Sequence, residues 1–198
     1  MPAPTDLFDT ATAHHDAGRL PDALAGYQAV LRQDPGHVQA QQRLGVLYLQ
    51  SGDYAAAAPL LAQVAAAEPD QPGHHSNLAS ALRRLGHLSD ALAAALRALR
   101  LSPDFTDAHM NVVTILDQMQ RYGDAVTAQR QLITLRPYAA EARLQLARLL
   151  ILDNRAEEAV EALYDLLGMQ PLSVHAYTNL GVALRRLGRL DEAATAYR

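Results

Sequence analysis

Prolines stand at Pro35, Pro69, Pro103, Pro137 and Pro171, each 34 residues after the last. Alanines at Ala23, Ala57, Ala91, Ala125, Ala159 and Ala193 keep the same step, and Gly18, Gly52, Gly86 and Gly188 mark a third equivalent position. The segment NLASALRRLGHLSDALAAALRALRLSP from Asn77 is echoed 102 residues later, three periods on, by NLGVALRRLGRLDEAATAYR from Asn179. A fixed period of this size marks stacked supersecondary units. One such unit is too small to bury its own apolar face, so neighbours must stack to share a core.

With each proline placed at position 32, the repeats are 4–37, 38–71, 72–105, 106–139, 140–173 and a truncated sixth, 174–198. We treat them as a single domain, 1–198. Apolar residues recur three and four apart, which is helical spacing. In the third repeat Leu78, Leu82 and Leu85 mark a first helix, and Leu88, Ala91, Leu92, Ala95, Leu96 and Leu99 a second. Gly86 lies between them, where a left-handed helix end favours glycine. Asn154 takes that place in the fifth repeat and suits it; Gln120 in the fourth does not, and an irregular turn is expected there. Asp22 and Ser89–Asp90 offer cap acceptors at second helices. Each proline ends its second helix by disfavouring helical geometry in the residue before it.

Small residues serve close packing. Gly45, Ala79, Ala147 and Gly181 share position 8 of the first helix and face the alanines at position 20 of the second. Val113 holds position 8 in the fourth repeat and should push its helix pair slightly apart. These residues resemble the tetratricopeptide repeat family: Leu44, Gly45, Tyr48, Gly52, Ala57 and Pro69 in the second repeat, and Asn179, Leu180, Gly181, Leu184, Gly188, Ala193 and Tyr197 in the sixth. The resemblance implies an all-α fold, a right-handed superhelix of antiparallel helix pairs. First helices line a concave groove and second helices form its back.

The first helix of the first repeat is polar where others are apolar, as a terminal cap should be. Arg198 falls mid-helix in the sixth repeat and leaves an apolar face without a cap. The expectation is that the chain is the N-terminal piece of a longer protein. The other reading is a helix that ends there and a homodimer formed through it.

Composition excludes several functions. The chain has no Cys, which removes disulfide frames and cysteine metal sites. That absence fits a reducing, cytoplasmic setting. Net charge is −4 and all 17 basic residues are arginine, a pattern that suggests bacterial high-GC coding and offers no basic face for nucleic acid. The start, MPAPTDLFDT, lacks the basic and apolar parts of a secretory signal. No apolar run is long enough for a membrane span. No catalytic constellation is present: neither a phosphate loop after a strand nor HExxH occurs. The eight histidines include no i, i+4 pair, so neither metal nor cofactor is expected. His75 and His109 share position 4 and read as packing rings. Glu157–Glu158 and Asp191–Glu192 suit helix N-termini electrostatically. The chain is not expected to be an enzyme by itself.

Position 6 of the first helix should face the groove. It holds Asp9, Arg43, Asn77, Asn111, Gln145 and Asn179. A carboxamide both donates and accepts, so a row of them suits a peptide backbone. The plainer reading is that these amides are solvated or bonded to the adjacent helix. The row resembles the asparagine ladder of O-GlcNAc transferases and SPINDLY-like relatives. In that family the ladder grips protein substrates ahead of a glycosyltransferase domain; Asp9 and Arg43 depart from the pattern. Other groove candidates are Arg83, Arg84, Asp107, Met110, Asp117, Leu144, Arg148, Ile151, Leu152, Arg185 and Arg186. Leu149–Leu152 reads as an anchor pocket or, better, as a well-packed helix. The arginine pairs read as solvated charge or, second, as a seat for an acidic partner. The terminal-carboxylate clamp of co-chaperones is argued against, because lysine is absent and no repeat has a basic residue at position 5 followed by Asn at position 9. The expected function is protein or peptide binding in the groove, as the substrate-recruiting region of a glycosyltransferase. The alternatives are a stand-alone scaffold or adaptor, and a self-associating module.

Overall fold

A computed structural model describes residues 3–198. Met1 and Pro2, which begin the stretch read above as carrying no secretory signal, lie outside them. The described residues form twelve helices and no strand. They run α1 (Pro4–Asp16), α2 (Leu20–Gln33), α3 (Val38–Ser51), α4 (Tyr54–Ala67), α5 (Pro72–Arg84) and α6 (Leu88–Leu101). They continue with α7 (Thr106–Gln118), α8 (Tyr122–Leu135), α9 (Ala140–Leu152), α10 (Ala156–Met169), α11 (Val174–Arg186) and α12 (Leu190–Ala196). The chain divides into two compact units, Met1–Ala108 and His109–Arg198. In the first, α1–α2, α3–α4 and α5–α6 are paired hairpins, α2 packs on α3, α4 on α5, and the first helices α3 and α5 touch. In the second, α9 packs on α8 and α10, α11 on α10 and α12, and the first helices α9 and α11 touch.

All but one of the following boundaries have a local cause. Second helices α2, α4, α6, α8 and α10 each end two residues before a repeat proline. The pre-proline residues Asp34, Glu68, Ser102, Arg136 and Gln170 leave helical geometry, with φ between −125° and −140°. The inter-helix turns place Gly18, Gly52, Gly86 and Gly188 at positive φ. Asn154 (φ 61°) and Gln120 (φ 57°) take the same conformation. The irregular turn expected at Gln120 is therefore absent. Arg121 N donates to Leu116 O at 2.9 Å, as Asp53 N does to Tyr48 O at the glycine turn before α4. The packing of the repeat dictates the turn, and Gln120 bears the strain.

Asp22 and Asp90 do not cap their helices either; each stands third in the helix, and neither α2 nor α6 has a side-chain cap bond. In α2, α8, α10 and α12 an arginine one place before the helix meets its third residue instead. Arg121–Asp124, Arg155–Glu158 and Arg189–Glu192 are 2.6 Å pairs, and Arg19–Asp22 is a looser one at 4.0 Å. Asp53, His37 and Ser173 do accept bonds from backbone N–H groups, at the starts of α4, α3 and α11.

The core follows the small-residue ladder. Ala23, Ala57, Ala91, Ala125 and Ala159 are fully buried. A Cβ added to Gly45 would lie 2.9 Å from Leu61 Cδ2, a contact that favours a small residue there on packing grounds. One added to Gly181 would overlap the Tyr197 ring. In the second and sixth repeats position 8 is thus small where position 24 of the second helix fills the space. Tyr27, Leu61 and Leu163 occupy position 24 and are fully buried. In the fourth repeat that position is Gln129, also fully buried.

Position 4 has a task that packing alone did not suggest. Gln41 Nε2 donates to Pro35 O at 2.7 Å. His75 Nε2 lies 2.8 Å from Pro69 O, and Arg143 Nη2 donates to Pro137 O at 3.0 Å. A carbonyl only accepts, so the His75 proton sits on Nε2. The residue satisfies a carbonyl left over where the preceding second helix ends. His75 is thus a hydrogen-bonding residue rather than the packing ring expected.

Candidate functional site

The first-helix faces carry the candidate site, and each unit builds its own. In the second unit, α9 and α11 bound a groove of about 480 Å³. Positions 2, 5, 6 and 9 of α9 supply Glu141, Leu144, Gln145 and Arg148; positions 2, 5 and 6 of α11 supply His175, Thr178 and Asn179. These spacings place each set on one stripe of its helix. Gln145 and Asn179 are both half-buried, and neither amide bonds to any described residue. The reading that they are tied to the adjacent helix therefore fails for them. Asn111, by contrast, has a partner within the chain.

Arg148 and Asp117 were independent expectations. The structure makes them each other's partner, as an ion pair between α9 and α7. Their charges cancel at this face. Met110 is 47% exposed and lines a smaller cavity of about 150 Å³ with Val113, Gln129 and Gln145. Gln145 borders both cavities and so joins Met110 to the main groove. Ile151 was expected at the groove but is only 6% exposed, with Leu149 and Leu150 buried beside it. That stretch is a packed helix; Leu152 alone emerges, at 37%. Arg186 donates to the Ile151 carbonyl and so caps the end of α9. Arg185 is exposed.

In the first unit, α3, α5 and the start of α4 bound a groove of about 300 Å³. Val46 and Leu49 form its apolar wall, and Asn77, Arg83 and Arg84 its polar one, with Tyr54 at the base of α4. Asn77 is half-buried and has no hydrogen-bond partner among the described residues. The Arg84 guanidinium carbon lies 5.0 Å from the Tyr54 ring centre, a cation–π distance. Burial, then the adjacent Arg84 charge, lowers the Arg83 pKa from its usual value. Asp107 is exposed in the first turn of α7 and lines neither groove. Arg43 and Asp9 are exposed and also stand outside the grooves.

Sequence reasoning missed Val46, Leu49, Tyr54, Glu141, His175 and Thr178. The last three were within reach, because stepping by three and four from position 6 marks them. Among the described residues no group of three or more His, Asp or Glu is placed to hold a metal ion. Nor is any described helix long and apolar enough to cross a membrane.

Profiles of the tetratricopeptide repeat match residues 14–85 and 48–112, and a second such profile matches 113–168 and 144–198. The chain belongs to the tetratricopeptide repeat (TPR) family. No curated protein sequence matches it. Among solved structures, MamA is 22% identical over 83% of this chain and 90% of its own, with a TM-score of 0.79. A TPR protein from Parabacteroides merdae is 19% identical over 98% of this chain and 77% of its own, with a TM-score of 0.80. YrrB, a TPR protein with an unusual peptide-binding site, is 21% identical over 86% and 88%, with a TM-score of 0.76. At these identities the likeness establishes the TPR fold, with its consecutive helix pairs.

Proposed function

We propose that the chain is a protein- or peptide-binding module whose first-helix grooves hold an extended segment of a partner. One observation carries this reading: Gln145 and Asn179 line the same groove one repeat apart, half-buried, with no hydrogen bond inside the chain. An unpaired, half-buried carboxamide gains when a backbone N–H or C=O meets it. Packed helices lie about 8–10 Å apart, and an extended chain rises about 3.3 Å per residue. The two amides would thus meet peptide groups about three residues apart. Asn77 supplies a single such amide in the first unit; Arg84, Met110 and Arg148 join the proposed binding set from the cavity linings, and Asn111, Asp107 and Asp117 of α7 are added to it as first-helix positions that line neither groove. YrrB, a relative in fold, is itself a peptide-binding TPR protein.

The test is selection of a random peptide library on the immobilised protein. Selected peptides should lose about thirtyfold in affinity on the Q145A/N179A variant, the loss of two hydrogen bonds near 1 kcal/mol each. Helical content should not change. Unaltered affinity removes the amides from the site.

A stand-alone adaptor is the simplest setting for this module. Recruitment of substrates to a glycosyltransferase is the sharper one; the amide row supports it, and it requires a catalytic domain encoded after Arg198. Self-association through α12 is a third reading, supported by the exposure of Leu190 and Tyr197. Light scattering across a concentration series separates it from a monomeric groove.

A further inference from the structure

Two adjacent guanidinium groups in the first unit lack a counter-charge. Arg83 and Arg84 close α5, and neither makes an ion pair with any described residue. Arg83 is half-buried, and its Nε is closed to solvent without an acceptor. Arg185 occupies the same repeat position but stands exposed to solvent. Arg148 and Arg186 of the second unit have found Asp117 and the Ile151 carbonyl. Removing a cation from water without a partner is costly, and a carboxylate brought to it recovers that cost. Guanidinium groups take carboxylates with two parallel hydrogen bonds.

We infer that the α3–α5 groove of the first unit takes an acidic segment of a partner protein, with a side-chain carboxylate seated on Arg83 and Arg84. The inference rests on the peptide-binding reading above. Asn77, on the same groove wall, meets the backbone beside that carboxylate, and Val46 and Leu49 cover its apolar flank. Arg84 is held by the Tyr54 ring, which orders its side chain before the partner arrives. A nucleic acid is the poorer occupant, since the net charge of −4 repels a polyanion and the groove wall is part apolar.

Two labelled decapeptides, both acetylated and amidated, test the inference against the full chain by fluorescence anisotropy. One alternates Glu and Ser, the other Gln and Ser. The Glu peptide should bind about tenfold more tightly at low salt, and the advantage should fade by about 0.5 M salt. R83Q/R84Q should erase the advantage while its thermal melt stays unchanged. R32Q/R100Q removes the same charge from exposed sites on α2 and α6 and should keep it. Equal binding of the two peptides overturns the inference and leaves the peptide-binding reading standing. So does a preference that survives R83Q/R84Q, or a Glu peptide that fails to bind. Equal binding of the Gln peptide with a free C-terminus would move the seat to a terminal carboxylate and overturn the side-chain assignment. Equal binding of an oligothymidine would make the patch a general anion surface, which overturns it as well. Failure of the library selection described above, which uses no charged probe, is the separate sign that the peptide-binding reading is wrong.

Discussion

Gln129 Nε2 donates to the Ala142 carbonyl at 2.6 Å, while the Oε1 of the same buried amide has no donor. The orientation of the amide is settled, because a carbonyl can only accept and the nitrogen must face it. One hydrogen bond is gained and one acceptor is stranded. A stranded buried acceptor costs about 1–3 kcal/mol, and a made hydrogen bond returns about 1. Leu61 and Leu163 fill this repeat position elsewhere without either term. Gln129→Leu should therefore stabilise the chain by about 1 kcal/mol in urea unfolding. Destabilisation of that size would mean that the amide oxygen is satisfied in solution.

The turn between α7 and α8 stores strain at one residue. Gln120 has φ 57°, where glycine or asparagine stands in the other repeats. A residue with a Cβ pays about 1–2 kcal/mol in this conformation, and glycine gives back part of that through unfolded-chain entropy. Gln120→Gly should raise stability by roughly 1 kcal/mol, and Gln120→Val should lower it. Thermal melts of the two variants should move in opposite directions from the wild type.

Gly45 serves packing rather than a special φ. Its missing Cβ leaves room for Leu61, which is fully buried. Gly45→Val would press two methyl groups into that contact and should cost about 1–3 kcal/mol. Pairing it with Leu61→Ala should recover part of the loss, because the two sites share one space. Simple additivity in the double variant would show that the contact is not what makes position 8 small.

Glu158 accepts from Arg155 and Arg130, at distances of 2.6–2.8 Å. Arg155 first, then Arg130, holds its carboxyl down at about 2, against 4.5 ordinarily. The folded value lies below the unfolded one, so the stabilisation is present above about pH 4.5 and is lost as pH falls toward 2. Carboxyl NMR should show Glu158 titrating well below the ordinary glutamate value of 4.5. Arg130→Gln should move it upward, and Arg155→Gln should move it further. A Glu158 carboxyl that titrates near 4.5 would show the pairs to be open in solution. The group is exposed, so the stability gain is small and fades with salt.

What the repeat length and the residue types decided is the fold. Proline at position 32, glycine between helices and alanine at position 20 act through the backbone within one hairpin, and each predicts its turn or contact locally. Gln120 shows the limit of local reasoning, for its turn follows its neighbours against its own preference. The candidate site was legible in its stripe, since Asn77, Gln145 and Asn179 do line first-helix grooves. Its charge state was not. Arg148 meets Asp117 from a residue 31 positions away, and Arg186 meets the Ile151 carbonyl 35 away. Arg83 and Arg185 share one repeat position, yet one is half-buried and the other exposed. Helical periodicity fixes which way a side chain leaves its own helix; which charge it meets depends on the spacing and side chains of the next helix over. Only the tertiary structure sets those, and it leaves Arg83 and Arg84 without a counter-charge in the first unit.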